Sequence, residues 1–241
     1  MLAPPLIKVE DLSFYYSDES PPVLDSINLT LQHQQRLGLI GPNGCGKTTL
    51  FHCIMGLLKV RSGTIFFRGD KVEDKAGFQR LRREIGMLFQ DADDQLFSPT
   101  VIEDVAFGPL NLGVAPDKAR LVASDTLAEL GLSHLENRVT HHLSGGEKKL
   151  VSLATILSMQ PRALFLDEPT NNLDPRTRLR LIEITNSNGE LAPGLGLCRP
   201  AVATVTIGKR HAARSIDGDD ECCIGRPIVG TKQGRAEDRE Q

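Results

Sequence analysis

The sequence predicts an α/β fold with a mainly parallel sheet, an N-terminal antiparallel β subdomain and a helical subdomain over about residues 98–158. Short apolar runs bounded by turn residues alternate with segments of helical periodicity, as in βαβ units. Residues 101–143, in contrast, show helical periodicity and no strand pattern. At 241 residues and 26.4 kDa, the chain is long enough for one large domain of this kind.

Composition argues against several classes of protein. A formal net charge of −3 and a pI near 6.1 provide no general attraction to nucleic acid or to anionic lipid. No run approaches the roughly 18 apolar residues of a spanning helix, and residues 1–5 do not resemble a signal sequence. We therefore expect a cytoplasmic protein that meets a membrane only through protein partners. The five cysteines include no C-x-x-C pair, so we expect neither a zinc site nor a disulfide framework.

The N-terminal segment predicts two strands, within residues 6–16 and over residues 23–31. Tyr16 stands at the end of the first strand, where an aromatic ring can stack on a base. A core or surface tyrosine is the commoner case for such a position.

A glycine-rich loop follows the next predicted strand, residues 36–40, and precedes the helical pattern of residues 49–55. The loop fits G-x-x-x-x-G-K-[ST] in full and consists of Gly41, Pro42, Asn43, Gly44, Cys45, Gly46, Lys47, Thr48 and Thr49. Backbone N–H groups of such a loop bind the phosphates of a nucleoside triphosphate. Lys47 would reach the β- and γ-phosphates, and the Thr48 hydroxyl would bind Mg²⁺. The alternative is a turn that binds nothing.

The central part of the chain predicts further strands at residues 62–69 and 85–89, the second of which ends at Gln90. Residues 91–101 are acidic and then apolar, which predicts a surface loop that displays Leu96 and Phe97. Residues 116–130 have the pattern of an amphipathic helix.

A second candidate anion site precedes the helix that is predicted at residues 148–157. It consists of Ser144, Gly145 and Gly146, and Glu147 follows these residues. N–H groups at a helix N-terminus attract anions, although a plain N-cap accounts for these residues as well.

Residues 163–168 predict a buried parallel strand with two carboxylates at its carboxyl end. In an open α/β sheet, ligands bind at such strand ends. Asp167 is placed to hold Mg²⁺, and Glu168 to polarise the attacking water. The alternative is that these acids cap a helix.

These motifs together resemble the nucleotide-binding subunits of ABC transporters, over about residues 6–185. The resemblance rests, in chain order, on residues 41–49, Gln90, residues 143–147, residues 163–168 and residues 172–174. It implies ATP and Mg²⁺ as ligands, Tyr16 as the aromatic that stacks on adenine, and Gln90 as the residue that senses Mg²⁺ and water. It also implies that residues 144–147 contact the γ-phosphate in an opposite subunit, and that residues 171–174 cross the dimer interface. That family usually has small residues where Asn171 and Asn172 stand.

Within this family, residues 89–97 and 103–113 resemble the energy-coupling-factor branch, which powers uptake of cobalt, nickel or vitamins. Residues 91–95 look more like the metal-uptake members, so the resemblance favours cobalt or nickel; vitamin uptake is the alternative. The implied partners are a second ATP-binding subunit, as a homo- or heterodimer, a transmembrane coupling protein and a substrate-binding membrane protein. The implied location is the cytoplasmic face of the membrane, with Leu96 and Phe97 against the membrane component.

The chain departs from the family after about residue 185. A switch histidine that contacts the γ-phosphate is expected there, and residues 186–241 form a divergent tail with one strand pattern, residues 201–207, and one histidine, His211. Either the reading frame or terminus is disrupted and the switch histidine is missing, or the tail has diverged and His211 is a displaced switch. In the first case the chain binds ATP and hydrolyses it poorly. A soluble ABC ATPase of repair or translation is disfavoured by the single nucleotide domain.

Overall fold

The computed structural model describes residues 3–186, 203–208 and 220–223. The strands in this part of the chain are β1 (Ile7–Phe14), β2 (Leu24–Leu31), β3 (Arg36–Ile40), β4 (Ser62–Phe67), β5 (Asp70–Lys71), β6 (Ile85–Leu88), β7 (Ala163–Asp167), β8 (Ala203–Gly208) and β9 (Asp220–Cys223). The helices are α1 (Lys47–Ile54), α2 (Lys75–Glu84), α3 (Val101–Asn111), α4 (Pro116–Glu129), α5 (Gly145–Leu157) and α6 (Pro175–Asn186). Two short 3-10 helices, Ser133–Leu135 and Thr140–His142, precede α5.

The strands form the two sheets that the predicted fold class requires. Four strands make an antiparallel sheet in the order β2-β1-β4-β5, and five make a parallel sheet in the order β6-β7-β8-β3-β9. The predicted α/β fold, with its N-terminal antiparallel subdomain and its helical subdomain, is therefore confirmed. Within the core, the rings of Phe51 on α1 and Phe165 on β7 stack with centroids 4.5 Å apart.

The parallel sheet brings three chain segments to one edge. β3, β6 and β7 run in the same direction, and β8 lies between β3 and β7. Ile40 pairs with Gly208 while Asp167 pairs with Ile207, so the carboxyl ends of β3 and β7 lie at nearly the same height. The glycine-rich loop, Gln90 and Glu168 all follow these strand ends directly. They therefore meet at the edge where open α/β sheets bind ligands.

The C-terminal strands differ in part from the prediction. The expected strand at 201–207 is present as β8, at 203–208, in the interior of the parallel sheet. The expectation of a single strand in the tail is wrong, because β9 pairs with the outer side of β3. Its sequence, Asp-Glu-Cys-Cys, lacks the apolar alternation that identifies strands, and the backbone ladder to β3 supplies its pairing. The predicted role of His211 lies outside the described residues.

The predicted exposure of Leu96 is also wrong. The sequence predicts that the loop after Gln90 displays both Leu96 and Phe97, but Leu96 is only 4% exposed and packs in the core of the helical subdomain. Phe97, in contrast, is 61% exposed. The buried Asp104 carboxylate accepts hydrogen bonds from the backbone N–H groups of Phe97 (3.1 Å) and Ser98 (2.8 Å). These bonds attach the segment before α3 to that helix, with the Leu96 side chain facing the core and the Phe97 side chain facing solvent.

The packing of α5 on the parallel sheet depends on a glycine. A Cβ atom placed on Gly86 of β6 would lie 1.9 Å from Ile156 Cγ2 of α5. We therefore expect Gly86→Ala to lower the free energy of unfolding by about 2–3 kcal/mol, as overpacking in a core does. Thermal denaturation should show a midpoint lower by roughly 5–10 °C.

Gly38→Ala is the matched control for this prediction. Gly38 lies on β3 of the same sheet, and no described atom lies within 4 Å of a Cβ placed there. Its midpoint should stay within about 2 °C of the native value. Ile156→Leu removes the branch at Cβ and should restore part of the loss in the Gly86→Ala background. Equal midpoints for the two alanine variants would contradict the proposed clash.

Candidate active site

The glycine-rich loop needs glycine at Gly46, which immediately precedes α1. Gly46 has φ +94°, in the left-handed region, and a Cβ atom there would lie 2.9 Å from both Leu24 Cδ2 and the Val23 carbonyl oxygen. A side chain at this position would meet both backbone strain and a clash. The close fit directs the loop into the N-terminus of α1, where free N–H groups and the helix dipole favour an anion.

Lys47 is the cation of this loop. Its side chain is only 5% exposed, and its Nζ donates hydrogen bonds to the carbonyl oxygens of Gly41 (3.0 Å) and Pro42 (2.9 Å). The Cys45 sulfur lies 3.7 Å from the same nitrogen. Neutral carbonyls hold the ammonium in place, and none of the ion pairs in the described part of the chain involves Lys47. The loop therefore offers a positioned positive charge to a phosphate group.

Thr48 and Asp167 meet across 119 residues of sequence. The Thr48 hydroxyl donates to Asp167 Oδ2 at 2.7 Å, whereas Asp167 Oδ1 is buried and has no hydrogen-bond partner among the described residues. Burial raises the pKa of Asp167, and the hydrogen bond from Thr48 acts in the opposite direction. A hydroxyl and a carboxylate with an unused oxygen are hard ligands of the kind that Mg²⁺ prefers. The residues present thus fit a magnesium ion.

Glu168 lies directly beyond Asp167, with a backbone φ of +42° that is uncommon for a residue with a side chain. Its carboxylate accepts hydrogen bonds from Gln90 Nε2, at 3.5 Å, and from Asn171 Nδ2. Side chains from the ends of β6 and β7 and from the following loop thus converge here. Strain of this kind is often found at functional sites, where the surrounding structure maintains it.

Tyr16 lies beside the glycine-rich loop. Its hydroxyl is 3.2 Å from Thr49 Oγ1, and its ring meets Phe14 edge-on with centroids 5.0 Å apart. The side chain is nevertheless 66% exposed. Two contacts hold the ring in place, and it remains accessible for a stacking partner.

Residues 144–147 form a separate group. The Ser144 side chain accepts a hydrogen bond from the Glu147 N–H, and Glu147 Oε2 accepts bonds from the N–H and the hydroxyl of Ser144, both at 2.8 Å. This capping box begins α5, and the bonds from Ser144 lower the pKa of Glu147. In the described part of the chain, no hydrogen bond joins residues 144–147 to residues 41–49. The structure therefore brings together Lys47, Thr48, Gln90, Asp167 and Glu168, with Tyr16 at the loop, but not the second candidate anion site.

Two contacts that hold the segment around Gln90 to α5 were not predicted from the sequence. Lys149 on α5 is buried and donates to the backbone oxygens of Phe89 and Gln90, and Gln95 donates to the Ser152 carbonyl of the same helix. A signal for Lys149 exists, because helical spacing places it on the same face as Leu153 and Ile156. A lysine on an apolar face requires a buried partner. Gln95 offers no comparable signal.

Comparisons with known proteins agree with this geometry. The ABC transporter family matches residues 24–171, more than half of the chain. The chain is 58% identical over 182 residues to a protein of Nitratidesulfovibrio vulgaris that is provisionally named an ABC transporter ATP-binding protein; the alignment covers 76% of this chain and 67% of that protein. It is 47% identical over 180 residues to the energy-coupling factor transporter ATP-binding protein EcfA of Methanothermobacter thermautotrophicus, covering 74% of this chain and 58% of that protein.

A solved structure shares the fold. CbiO1 of Clostridium perfringens, part of the ABC transporter complex CbiONQ, superimposes with a TM-score of 0.72 at 35% identity, over 86% of this chain and 79% of that one. Among the described residues, none of the helices combines the length and hydropathy needed to cross a bilayer. Since the family match spans the loop, Gln90, the capping box and the strand-end acids, the chain belongs to the ABC transporter family.

Proposed function

We propose that this chain is the ATP-binding and ATP-hydrolysing subunit of an energy-coupling-factor transporter that imports cobalt or nickel. The observation that carries the proposal is the convergence of Lys47, Thr48, Gln90, Asp167 and Glu168 at one edge of the parallel sheet. The similarity to an energy-coupling factor subunit and to CbiO1 supports the branch. The resemblance of residues 91–95 to the metal-uptake members of this branch favours a metal ion over a vitamin.

The loop binds the triphosphate and orients it. Backbone N–H groups at the start of α1 receive the phosphate oxygens, and the Lys47 ammonium neutralises negative charge at the β- and γ-phosphates. Thr48, Asp167 and Gln90 would hold Mg²⁺, which supplies Lewis-acid stabilisation of the charge on the transferred phosphoryl group. Tyr16 stacks on the adenine. Together, these contacts orient the bound ATP so that its γ-phosphate faces Glu168.

Glu168 acts on the attacking water. Its carboxylate accepts a hydrogen bond from the water and so polarises the O–H bond as the oxygen approaches phosphorus. Gln90 and Asn171 both donate to Glu168, which holds the carboxylate in one orientation before the reaction. A preorganised group of this kind needs no rearrangement in the transition state.

A second subunit completes the site. The resemblance to ABC transporter subunits implies that residues 144–147 contact the triphosphate of a partner subunit, and in the described part of the chain these residues make no hydrogen bond to their own glycine-rich loop. The partner is a second copy or a related ATP-binding subunit, in a head-to-tail arrangement. The dimer lies at the cytoplasmic face of the membrane and acts on a transmembrane coupling protein and a substrate-binding membrane protein.

Steady-state ATP hydrolysis by the purified chain with Mg²⁺, measured beside direct ATP binding, tests this proposal. Turnover that depends on Mg²⁺ is the expected result. Binding without turnover would support the alternative, an ATP-binding subunit with impaired hydrolysis because the switch histidine is missing. Absence of binding would overturn the proposal. Uptake of Co²⁺, Ni²⁺ and a vitamin by cells that express the whole transporter would separate the substrate classes.

An exposed apolar patch is the proposed contact with the membrane component. The rings of Phe97 and Phe107 meet edge-on with centroids 4.6 Å apart, and both rings are exposed, by 61% and 43%. Leu110 follows one turn later on α3 and is 42% exposed. Adjacent exposed aromatic rings are unusual on a free surface and typical of the centre of an interface. Phe97 lies in the same segment as Gln90, seven residues later in the sequence, so a partner seated here would contact the segment that leads from the active site.

We expect Phe97→Ser with Phe107→Ser to reduce co-purification of the chain with the transmembrane component by at least tenfold, since each ring contributes on the order of 1–2 kcal/mol at such a contact. ATP binding should remain unchanged. Leu121→Ser is the matched control, because Leu121 is equally exposed (61%) but lies on α4. Equal co-purification of both variants would argue against this patch as the contact.

A further inference from the structure

The loop of residues 89–95, which carries Gln90, is bound to helix α5 at three points. Lys149 Nζ donates to the carbonyl oxygens of Phe89 (2.7 Å) and Gln90 (2.9 Å). Gln95 Nε2 donates to the Ser152 carbonyl at 2.8 Å and to Thr155 Oγ1 at 2.9 Å. Lys148 Nζ pairs with Asp93 at 2.6 Å. All the helix partners lie within α5, which begins at the capping box of Ser144.

These three contacts differ in strength. Asp93 is 65% exposed at its side chain, so its pair with Lys148 contributes little. Lys149 is 4% exposed, and a charged donor in a dry environment makes stronger hydrogen bonds than a neutral one. Burial of an ammonium is also costly unless its donors are used. Lys149 is therefore the contact that most firmly fixes the beginning of the loop.

The carbonyl of Gln90 and the side chain of Gln90 belong to the same residue, so a fixed carbonyl limits where the side chain can reach. The Gln90 amide lies 3.5 Å from Glu168, the far limit of a hydrogen bond. A shift of a few tenths of an ångström in the backbone would break this bond or tighten it. Lys149 sits five residues after Ser144 on one helix, so the position of α5 determines the position of this carbonyl.

We propose that Lys149 is a positioning residue that ties the backbone of Gln90 to α5 and thereby sets the distance between the Gln90 amide and Glu168. This inference rests on the proposed ATP hydrolysis for its kinetic consequence. Its structural consequence, the placement of the Gln90 amide, is independent of turnover. The two consequences can be measured separately.

Lys149→Met tests the inference, because methionine fills most of the volume and donates no hydrogen bond. We expect kcat for ATP to fall by on the order of 10-fold to 100-fold, as for a misplacement of about 1 Å, while the Kd for ATP changes by less than about twofold. Lys149→Arg, which retains charged donors, should recover part of kcat. Lys148→Met is the matched control and should leave kcat within about twofold of the native value.

A spectroscopic measurement makes the test independent of turnover. In ¹⁵N-labelled chain, the side-chain amide resonances of Gln90 are assigned by their disappearance in Gln90→Ala. They should shift in Lys149→Met and remain in place in Lys148→Met. Unmoved resonances with an unchanged kcat would overturn the inference, as would a parallel loss of kcat and thermal stability in both Lys149 variants. If the native chain lacks turnover, the proposed function fails, and the Gln90 resonances still decide the role of Lys149.

Discussion

Glu168→Gln is expected to lower kcat for ATP hydrolysis by about 10²–10⁴-fold, the usual contribution of a general base, and to leave ATP binding within about twofold of the native value. The amide has nearly the same shape as the carboxylate, and its oxygen can still accept the hydrogen bonds from Gln90 and Asn171. It cannot polarise water as an anion does. The measurements are single-turnover hydrolysis with Mg²⁺ and equilibrium binding of ATP.

The matched control for this variant is Glu183→Gln. Glu183 is an exposed carboxylate near the C-terminal end of α6, outside the residues of the candidate site, and its loss should leave both measurements unchanged. A Glu168→Gln protein with near-native turnover would assign the water-polarising role to another group. A protein that has lost ATP binding would mean that Glu168 acts in holding the substrate.

Lys47→Ala is expected to weaken ATP binding by about 10-fold to 100-fold, because a hydrogen bond between charged groups contributes about 1.5–3 kcal/mol. Binding is read from thermal denaturation with and without ATP. At 100 times Kd, ATP adds about 2.7 kcal/mol to the free energy of unfolding, which raises the native midpoint by roughly 5–10 °C. The same ATP concentration should raise the Lys47→Ala midpoint by only about 1–5 °C.

Loss of Lys47 also removes its bonds to Gly41 and Pro42 within the loop. Lys47→Arg retains the positive charge and distinguishes these effects: partial recovery of ATP binding indicates that the charge matters, whereas no recovery indicates that the loop conformation dominates. Lys59→Ala removes an exposed lysine just beyond α1 and is the control for net charge. A Lys47→Ala midpoint that rises with ATP as much as the native midpoint would contradict the assigned role.

Local patterns were sufficient for the fold class, and they named most of the residues of the candidate site. The loop 41–49 could be recognised because its chemistry depends on residue types at fixed spacing within one turn. The strand-end acids Asp167 and Glu168 could be predicted because a buried apolar run that ends in two carboxylates is typical of a strand that leads to a ligand-binding edge. The structure then places Thr48 2.7 Å from Asp167, a distance that neither segment determines alone.

The predictions that were wrong concern features that depend on contacts between distant residues rather than on a local sequence pattern. Leu96 and Phe97 are adjacent apolar residues that look alike in sequence, and the folded chain distinguishes them by packing Leu96 in the core and by the bonds to the buried Asp104 carboxylate. The sequence of β9 has almost no strand pattern, and the segment forms a strand because it pairs with β3. The spacing of Lys149 on α5 predicts a buried partner, but the sequence does not identify that partner, because it consists of backbone carbonyls on another element.

The sequence by itself therefore determined the fold class, most of the strands, the candidate phosphate-binding loop, the two strand-end carboxylates and the resemblance to an ABC transporter subunit. The loop, the strands and the carboxylates depend on neighbouring residues, within the reach of one turn or one strand, and the resemblance depends on the order of such local motifs along the chain. Only the tertiary structure decided that β8 enters the sheet between β3 and β7, that Leu96 is buried, and that Lys149 binds the backbone of Gln90. These features join residues far apart in the chain, and their free energy comes from burial and hydrogen bonding between elements that only the folded chain brings into contact.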